Sequence, residues 1–225
     1  ISPLIRFKTE EREKLLNAKF LKNILPNNYQ IVDENNKKFE KIEKNLADIF
    51  KSWVSKSKYK VEDILTKENA KYFIDMPNTC RYYTTASSRK LSRAGSIKMN
   101  LNNSEEFNFL YCFINSSFAY WWWRIYDGGI TYPVSLLNTM PLPLNLLSKE
   151  DKNYFKKMTE KLMKKEKEYI ITKVNAKNTQ ENIKFPREYR DNINERILKI
   201  LGFEKSADIF DKVHANCYFD KILNK

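Results

Sequence analysis

The stretch that decides the fold runs from Asn115 to Pro143 and reads NSSFAYWWWRIYDGGITYPVSLLNTMPLP. It holds three of the chain's four Trp residues and two of its four Gly residues. It ends in Pro141-Leu142-Pro143, which cannot continue a helix or an inner strand because proline has no backbone N–H to donate. We therefore predict one domain over residues 1–147, which leads into and includes this stretch, and a helical C-terminal region over residues 148–225.

The segment just before this stretch predicts a buried helix. Asn103 and Glu106 have the spacing of a capping box, and the residues that follow are apolar on nearly all faces. The three tryptophans that come next have two interpretations, as stacking platforms for exposed bases or as core residues. Their place at the end of a buried helix favours the core. Arg124, Tyr126 and Asp127, beside the glycine pair Gly128-Gly129, are better placed to face a ligand.

The remainder of the first domain combines helical and strand-like patterns. Residues 9–25 open with an N-cap threonine and acids and then place apolar residues at helical spacing up to Pro26. Residues 38–56 carry one apolar stripe on a charged helix. Residues 59–99 are short mixed runs that favour strands and loops, and residues 130–137 predict a further strand. We therefore predict a mixed α+β class, with a sheet and flanking helices followed by a helical tail.

The C-terminal region predicts three helices. Ser148 and Asp151 have the spacing that starts a helix. An Asn-rich connector follows, and then a helix capped near residues 191–192 that ends at Gly202, where a left-handed residue is favoured. Ser206 opens a last short helix.

The chain is strongly basic. Lys and Arg number 41 against 28 Asp and Glu, so the formal charge is +13 and the isoelectric point is near 9.4. Such a charge is typical of proteins that meet phosphates, although a lysine-rich surface without that partner has the same total. Between Asp75 and Glu105 there is no acidic residue, and basic side chains alternate with hydroxyls. This segment predicts a DNA-contacting loop, with a plain solvated loop as the alternative.

The cysteine pattern and the hydropathy indicate a cytoplasmic location. Cys80, Cys112 and Cys217 are odd in number and far apart, which supports neither a disulfide framework nor a zinc site. The longest uninterrupted apolar run, residues 118–123, is far shorter than the ~20 residues of a membrane helix. Because the chain begins with Ile1 inside an amphipathic segment, we also expect it to be a piece of a longer protein.

No set of residues predicts catalysis or cofactor binding. Four glycines in total cannot furnish a phosphate-binding loop, so we expect no nucleotide cofactor in this chain. His214 and Cys217 stand at helical spacing, and we interpret them as packed side chains rather than a base and its nucleophile. Glu150-Asp151-Lys152 has the composition of a nuclease site, but acids at a helix start are explained by the helix dipole. We therefore predict no catalytic or metal-binding residue here.

The central motifs resemble a known family. They are Asn115-Ser116 with its aromatic run, the Gly128-Gly129 turn, and Met140-Pro141-Leu142-Pro143 before a charged helix. They are similar to the target recognition domains of type I restriction specificity subunits, and equally to the TaqI-like C-terminal domains of adenine-specific DNA methyltransferases. The upstream segment 81–91 looks like the polar, basic segment that such domains present to DNA. The resemblance covers residues 40–170.

The resemblance implies a sequence-specific, double-stranded DNA-binding function. The chain would be the C-terminal specificity part of a type II restriction enzyme or adenine-specific (N6) DNA methyltransferase. S-adenosylmethionine and the catalytic motif would belong to the methyltransferase domain of the same parent protein, which is then a partner of this chain. The candidate DNA contacts are Arg81, Ser88, Arg89, Lys90, Arg93, Lys98, Arg124 and Tyr126.

Two other functions fit part of the same pattern. In a protein–protein docking module, the C-terminal stripe of Met158, Leu162 and Tyr169 would bind a partner and the positive charge would be incidental. RNA binding through stacked aromatic residues would require exposed tryptophans. The salt dependence of binding distinguishes the docking module from DNA binding. Phosphate contacts weaken steeply as salt rises, whereas binding in an apolar groove hardly responds.

Overall fold

The computed structural model describes the backbone of residues 30–33, 38–40, 42, 44–67, 70–80, 83–127, 130–175 and 178–214. The helix predicted over residues 9–25 lies outside this part of the chain. Helices and antiparallel strands are mixed along the described residues, so the predicted α+β class is confirmed.

The described strands pair in four antiparallel ladders, β1–β2, β3–β6, β4–β5 and β7–β8. They are β1 (Gln30–Asp33), β2 (Lys38–Glu40), β3 (Tyr59–Lys60), β4 (Tyr72–Pro77), β5 (Ser96–Leu101), β6 (Pro141–Leu142), β7 (Ile170–Asn175) and β8 (Asn178–Ile183). The helices are α1 (Ala47–Lys56), α2 (Val61–Ile64), α3 (Ser104–Ile114), α4 (Ser117–Tyr126), α5 (Val134–Asn138), α6 (Lys149–Tyr169), α7 (Arg187–Leu201) and α8 (Asp211–His214).

Helices α3 and α4 form the centre of the molecule, and polar caps explain why they are two helices. The Asn103 side chain accepts hydrogen bonds from the amides of Glu105 at 2.8 Å and Glu106 at 3.3 Å, which confirms the predicted start of α3. Helix α4 begins after Ser116, whose Oγ accepts the amide of Phe118 at 3.2 Å. The aromatic run therefore forms a second helix, which packs against the first.

The aromatic residues of α4 fill the core. Trp121, Trp122 and Trp123 are 1%, 6% and 0% exposed, and Trp53 of α1 stacks on Trp121 with ring centroids 5.9 Å apart. The indole N–H groups of Trp122 and Trp123 each donate to a backbone carbonyl at 3.0 Å, the kind of partner that a buried tryptophan requires. The core interpretation is confirmed, and these three rings offer no stacking platform for bases.

Residues from both predicted regions share one hydrophobic core. Phe155 of α6 packs edge-on against Phe109 of α3, with ring centroids 4.9 Å apart. Met158 and Leu162 are buried in the same core, and Tyr169 packs on aromatic residues at and before the start of α7. Met158 and Leu162 of the stripe that the alternative docking function requires are therefore buried within the chain, and Tyr169 is half-buried. The domain boundary after residue 147 stays a prediction.

The strand predicted over residues 130–137 is wrong. Thr131 makes one isolated bridge with Thr79, and the chain then enters α5 directly after Pro133. The proline ring fixes φ at about −65°, which suits the start of a helix, and its missing N–H cannot take part in a strand ladder. Of the apolar residues that suggested a strand, Ile130 and Tyr132 lie before α5, and the later ones, from Val134 on, lie on this short helix.

Other predicted helices are confirmed with shifted ends. The helix predicted over residues 38–56 begins only at α1, because residues 38–40 form β2 and pair with β1. Helix α6 begins after Ser148 with the predicted capping box. Helix α7 begins after Pro186, earlier than predicted, and ends at Gly202, whose φ of 92° is the left-handed conformation expected there.

Candidate nucleic-acid interface

The predicted DNA-contacting segment lies in the connection between β4 and β5, and we call residues 83–95 the basic loop. Its first half is buried, with Ala86 and Ser87 0% exposed. The amides of Ser87 and of Asp75 in β4 donate to each other's carbonyls at 2.9 and 2.8 Å. The Asn115 side chain accepts the Ala86 amide at 2.9 Å and donates to its carbonyl at 3.2 Å. The loop therefore follows a fixed path over the core.

The buried carboxylate of Glu166, on α6, holds the middle of the basic loop. It accepts the Ser88 amide at 2.5 Å, the Ser88 hydroxyl at 3.1 Å and the Tyr111 hydroxyl at 2.7 Å. Arg89 Nε lies 3.3 Å from Glu166 Oε2. A buried charge is costly unless it is paired and hydrogen-bonded, and these four contacts meet that requirement. Burial, and then the Glu166 charge, raise the pKa of Tyr111 well above its ordinary value, so the hydroxyl stays a donor.

Arg93 is a structural residue of the loop and not an exposed one. Its side chain is 4% exposed, and both Nε, at 3.0 Å, and Nη2 donate to Asp75 Oδ1. Nη1 donates to Asn182 Oδ1 of β8 at 3.2 Å. Burial lowers the pKa of Arg93 and the Asp75 charge opposes this effect. The prediction of Arg93 as a DNA contact is therefore corrected, because its guanidinium is enclosed by protein and positions the loop instead.

The β7–β8 hairpin holds the far end of the loop. The Ser92 amide donates to Glu181 Oε2 at 2.8 Å, and the Glu181 amide donates to the Ser92 carbonyl at 2.6 Å. The acids that neutralise the basic loop thus come from β4, α6 and β8 and not from the loop itself. In the folded chain, carboxylates from other elements therefore offset part of the positive charge of the acid-free segment.

Sequence reasoning missed this hairpin, which occupies the predicted Asn-rich connector. The six cross-strand pairs run from Ile170 and Ile183 to Asn175 and Asn178. A signal for it was present, because β7 begins with a run in which four of five residues are β-branched, a composition typical of strands.

Three predicted contacts remain on the surface beside these anchors. The Arg89 side chain is 47% exposed, and Lys90 and Lys98 are exposed as well. Ser88 is half-buried, with its hydroxyl bound to Glu166. Arg81 lies outside the described residues. The structure thus brings Ser88, Arg89 and Lys90 together at one fixed corner of the loop.

The last two predicted contacts lie on a different element. Arg124 and Tyr126 are in the final turn of α4, where Tyr126 is 37% exposed and packs edge-on against Trp122 with ring centroids 4.5 Å apart. Helix α4 begins close to Asn115, whose side chain binds the backbone of Ala86 in the basic loop. The last turn of α4 lies about 15 Å from that start along the helix axis. Ile130 and Val134, which follow, are also exposed. This end of α4 is therefore a more apolar surface than the basic loop.

His214 belongs to a packed network at the start of α4. Its Nε2 lies 2.8 Å from Ser117 Oγ, and its ring stacks on Tyr120 with centroids 4.9 Å apart. Asn194 of α7 donates to Ser117 Oγ at 2.7 Å and accepts the Ser117 amide at 2.8 Å. Ser117 is 0% exposed, so this hydroxyl is enclosed by its partners and cannot meet a substrate. Cys217, predicted to pack with His214, lies outside the described residues.

Comparison of the chain with protein-family models, with curated proteins and with solved structures finds no match to any of the three. Among the described residues, no three His, Cys, Asp or Glu side chains are grouped so that they could hold a metal ion. No helix in the described ranges combines the length and the apolar character needed to cross a membrane.

Proposed function

We propose that this chain binds double-stranded DNA sequence-specifically, as the specificity part of a type II restriction enzyme or adenine-specific DNA methyltransferase. The observation that carries the proposal is the corner formed by Ser88, Arg89 and Lys90, whose backbone is bound to a buried carboxylate while its cations stay exposed. Base recognition needs side chains held in fixed positions, and affinity for DNA needs exposed positive charge. This corner supplies both.

Arg89 is the best placed residue for direct base contact. A guanidinium can donate two parallel hydrogen bonds to the O6 and N7 atoms of guanine in the major groove. The Nε contact with Glu166 restrains the Arg89 side chain without covering it, since nearly half of the side chain remains exposed. A restrained guanidinium loses less conformational entropy on binding than a free one. Lys90 and Lys98 each carry a compact ammonium charge on a flexible side chain, which suits contacts with phosphates.

The proposal places the chemistry outside this chain. The methyltransferase domain of the parent protein would hold S-adenosylmethionine and take up the flipped adenine, and this chain would set the position on the duplex. We also propose a cytoplasmic location, where DNA is available. The described cysteines, Cys80 and Cys112, are buried thiols, which fits that compartment.

Selection from a randomised duplex pool tests the proposal. The 225-residue chain is incubated with the pool at two salt concentrations, and the retained duplexes are sequenced. We expect one short motif to be enriched and retention to fall steeply with salt, because bound phosphates release counterions. Retention that does not respond to salt, or no retention at all, would overturn DNA binding.

The Arg89→Ala variant tests the residue assignment in the same pool. If Arg89 reads a guanine, the variant should relax one position of the motif at a cost of roughly 1 to 3 kcal/mol. The matched control is Lys205→Ala, an exposed cation after α7, which should leave the motif unchanged. Equal weakening on every sequence would make Arg89 a phosphate contact.

Protein docking remains the alternative function, on a different surface from the one predicted. The α6 stripe is covered, whereas Tyr126, Ile130 and Val134 are 37%, 64% and 54% exposed at the end of α4 and the start of α5. Exposed apolar side chains in one region are typical of interaction sites. Binding of a protein partner that is insensitive to salt and lost in Ile130→Asp would favour this alternative.

A further inference from the structure

The β7–β8 hairpin has a buried base and an exposed outer half. At its base, Ile183 is 1% exposed and Ile170 is half-buried. Further out, Val174 is 76% exposed, and Thr172, Lys173 and Thr179 are exposed as well. An isolated two-stranded hairpin is only marginally stable in water. Such a ribbon therefore needs anchors at its base if it is to keep one orientation.

The anchors are the contacts that join the hairpin to the body and the basic loop. Asn182 accepts from Arg93, Glu181 exchanges two hydrogen bonds with Ser92, and the Lys184 amide donates to the Tyr169 carbonyl at 2.9 Å. The hairpin is thus fixed at its base to Ser92 and Arg93, in the same loop that carries the Ser88–Arg89–Lys90 corner.

We propose that this hairpin enters the major groove of the bound duplex and makes base contacts in addition to those of Arg89. This inference rests on the proposed DNA-binding function and names the element that adds specificity. The strands of a ladder lie ~5 Å apart and a sheet with its side chains is ~10 Å thick. These dimensions fit a groove about 12 Å wide and exclude the minor groove, which is about 6 Å wide.

The face of the hairpin that carries Lys173 and Gln180 suits base edges. These two residues are cross-strand partners, so their side chains share one face, and an amide side chain such as that of Gln180 can pair with adenine N6 and N7. Val174 and Thr179 form the next pair and lie on the opposite face.

Charge favours DNA as the occupant of this surface. Lys173 on β7 and Lys184, directly after β8, are exposed, as are Arg89 and Lys90 of the corner. The carboxylate in this segment, Glu181, accepts a hydrogen bond from the Ser92 amide, so the protein itself partly offsets its negative charge. A positively charged ribbon is complementary to the phosphates that line both sides of a groove.

Selection with hairpin variants tests the inference. Wild type, Gln180→Ala and the matched control Lys51→Ala, an exposed cation on α1, are compared in the randomised pool at low salt. We expect Gln180→Ala to lose preference at one motif position by roughly 5- to 150-fold, at a position other than the one that Arg89→Ala relaxes. The control should keep the wild-type motif. If wild type enriches a motif and Gln180→Ala keeps it unchanged, the hairpin inference is overturned while DNA binding stands.

Photo-crosslinking tests whether the hairpin contacts the major groove even if the wild-type chain binds DNA without enriching a motif. Duplexes carry 5-iodouracil, whose iodine occupies the major groove in place of the thymine methyl, and crosslinked peptides are identified by mass spectrometry. We expect crosslinks to peptides within residues 170–184. Crosslinks confined to other parts of the chain would overturn the inference. Salt-independent or absent binding of wild type would instead overturn the proposed function itself.

Discussion

The aromatic core around α4 and the polar junction around the basic loop are stabilised in different ways. The core depends on burial, which is non-directional and roughly proportional to the apolar area removed from water. The junction depends on two buried carboxylates, Asp75 and Glu166, that must meet donors at specific positions. A core of this kind tolerates changes of shape better than the junction tolerates changes of charge. Mutations can therefore distinguish the two regions.

Removal of the Arg93 guanidinium should have the largest effect. Arg93→Ala leaves Asp75 buried without its ion pair, which costs about 3 to 5 kcal/mol of unfolding free energy. Urea unfolding at neutral pH measures the loss. The matched control is Lys90→Ala in the same loop, an exposed residue for which a change within about 0.5 kcal/mol is expected.

A double variant sharpens this test. Asp75→Ala combined with Arg93→Ala should recover part of the lost stability, because no unpaired charge is then left in the interior. A loss below about 1 kcal/mol for Arg93→Ala alone would mean that the junction is not held by this ion pair.

Neutralising Glu166 should have an intermediate effect. Glu166→Gln keeps the shape of the side chain but replaces one acceptor with an amide donor that faces other donors, at a cost of about 1.5 to 3 kcal/mol. The same unfolding measurement applies, and the DNA motif should relax at the Arg89 position. Glu168→Gln makes the same change at a 61% exposed site on the same helix and should alter neither result. Equal effects of the two variants would contradict a special role for Glu166.

Alkaline pH should reveal a smaller effect on stability, which arises from a buried thiol in the core. Burial raises the pKa of the Cys112 thiol from its ordinary value of 9.0 to about 12. In the unfolded chain this thiol ionises above pH 9.0, while the folded chain keeps it protonated up to about pH 12. Stability therefore falls as pH rises through this window, by at most about 1.4 kcal/mol per pH unit for this group.

Cys112→Ser isolates this contribution, because serine does not ionise in that range and can keep the contact with Thr159, now 3.3 Å from the sulfur. Urea midpoints measured at pH 8, 9 and 10 should decline less steeply for the variant than for wild type. The buried Tyr132, whose pKa is raised by burial, is the same in both proteins, so its contribution cancels in the comparison. Parallel declines would show that the thiol does not titrate as described.

The same two regions divide what could be predicted from sequence. The caps of α3 and α6, the burial of the tryptophans and the left-handed Gly202 were predicted, because the residues that decide them are close neighbours in the chain. The prediction of a strand over residues 130–137 is wrong, because it followed the alternation of apolar residues and not Pro133, after which a helix begins. In the candidate site, Arg89 and Lys90 were predicted as contacts and are exposed, whereas Ser88 is half-buried and Arg93 is enclosed.

By itself, the sequence determined the α+β class, the central helices and the excess of positive charge. Each of these follows from composition or from interactions within one or two helical turns. The tertiary structure alone decided that Arg93 is enclosed, that Glu166 holds Ser88 from 78 positions away, and that residues 170–183 form an anchored hairpin. Ion pairs and strand ladders depend on partners distant in the chain, and only the packed fold brings those partners within hydrogen-bonding distance.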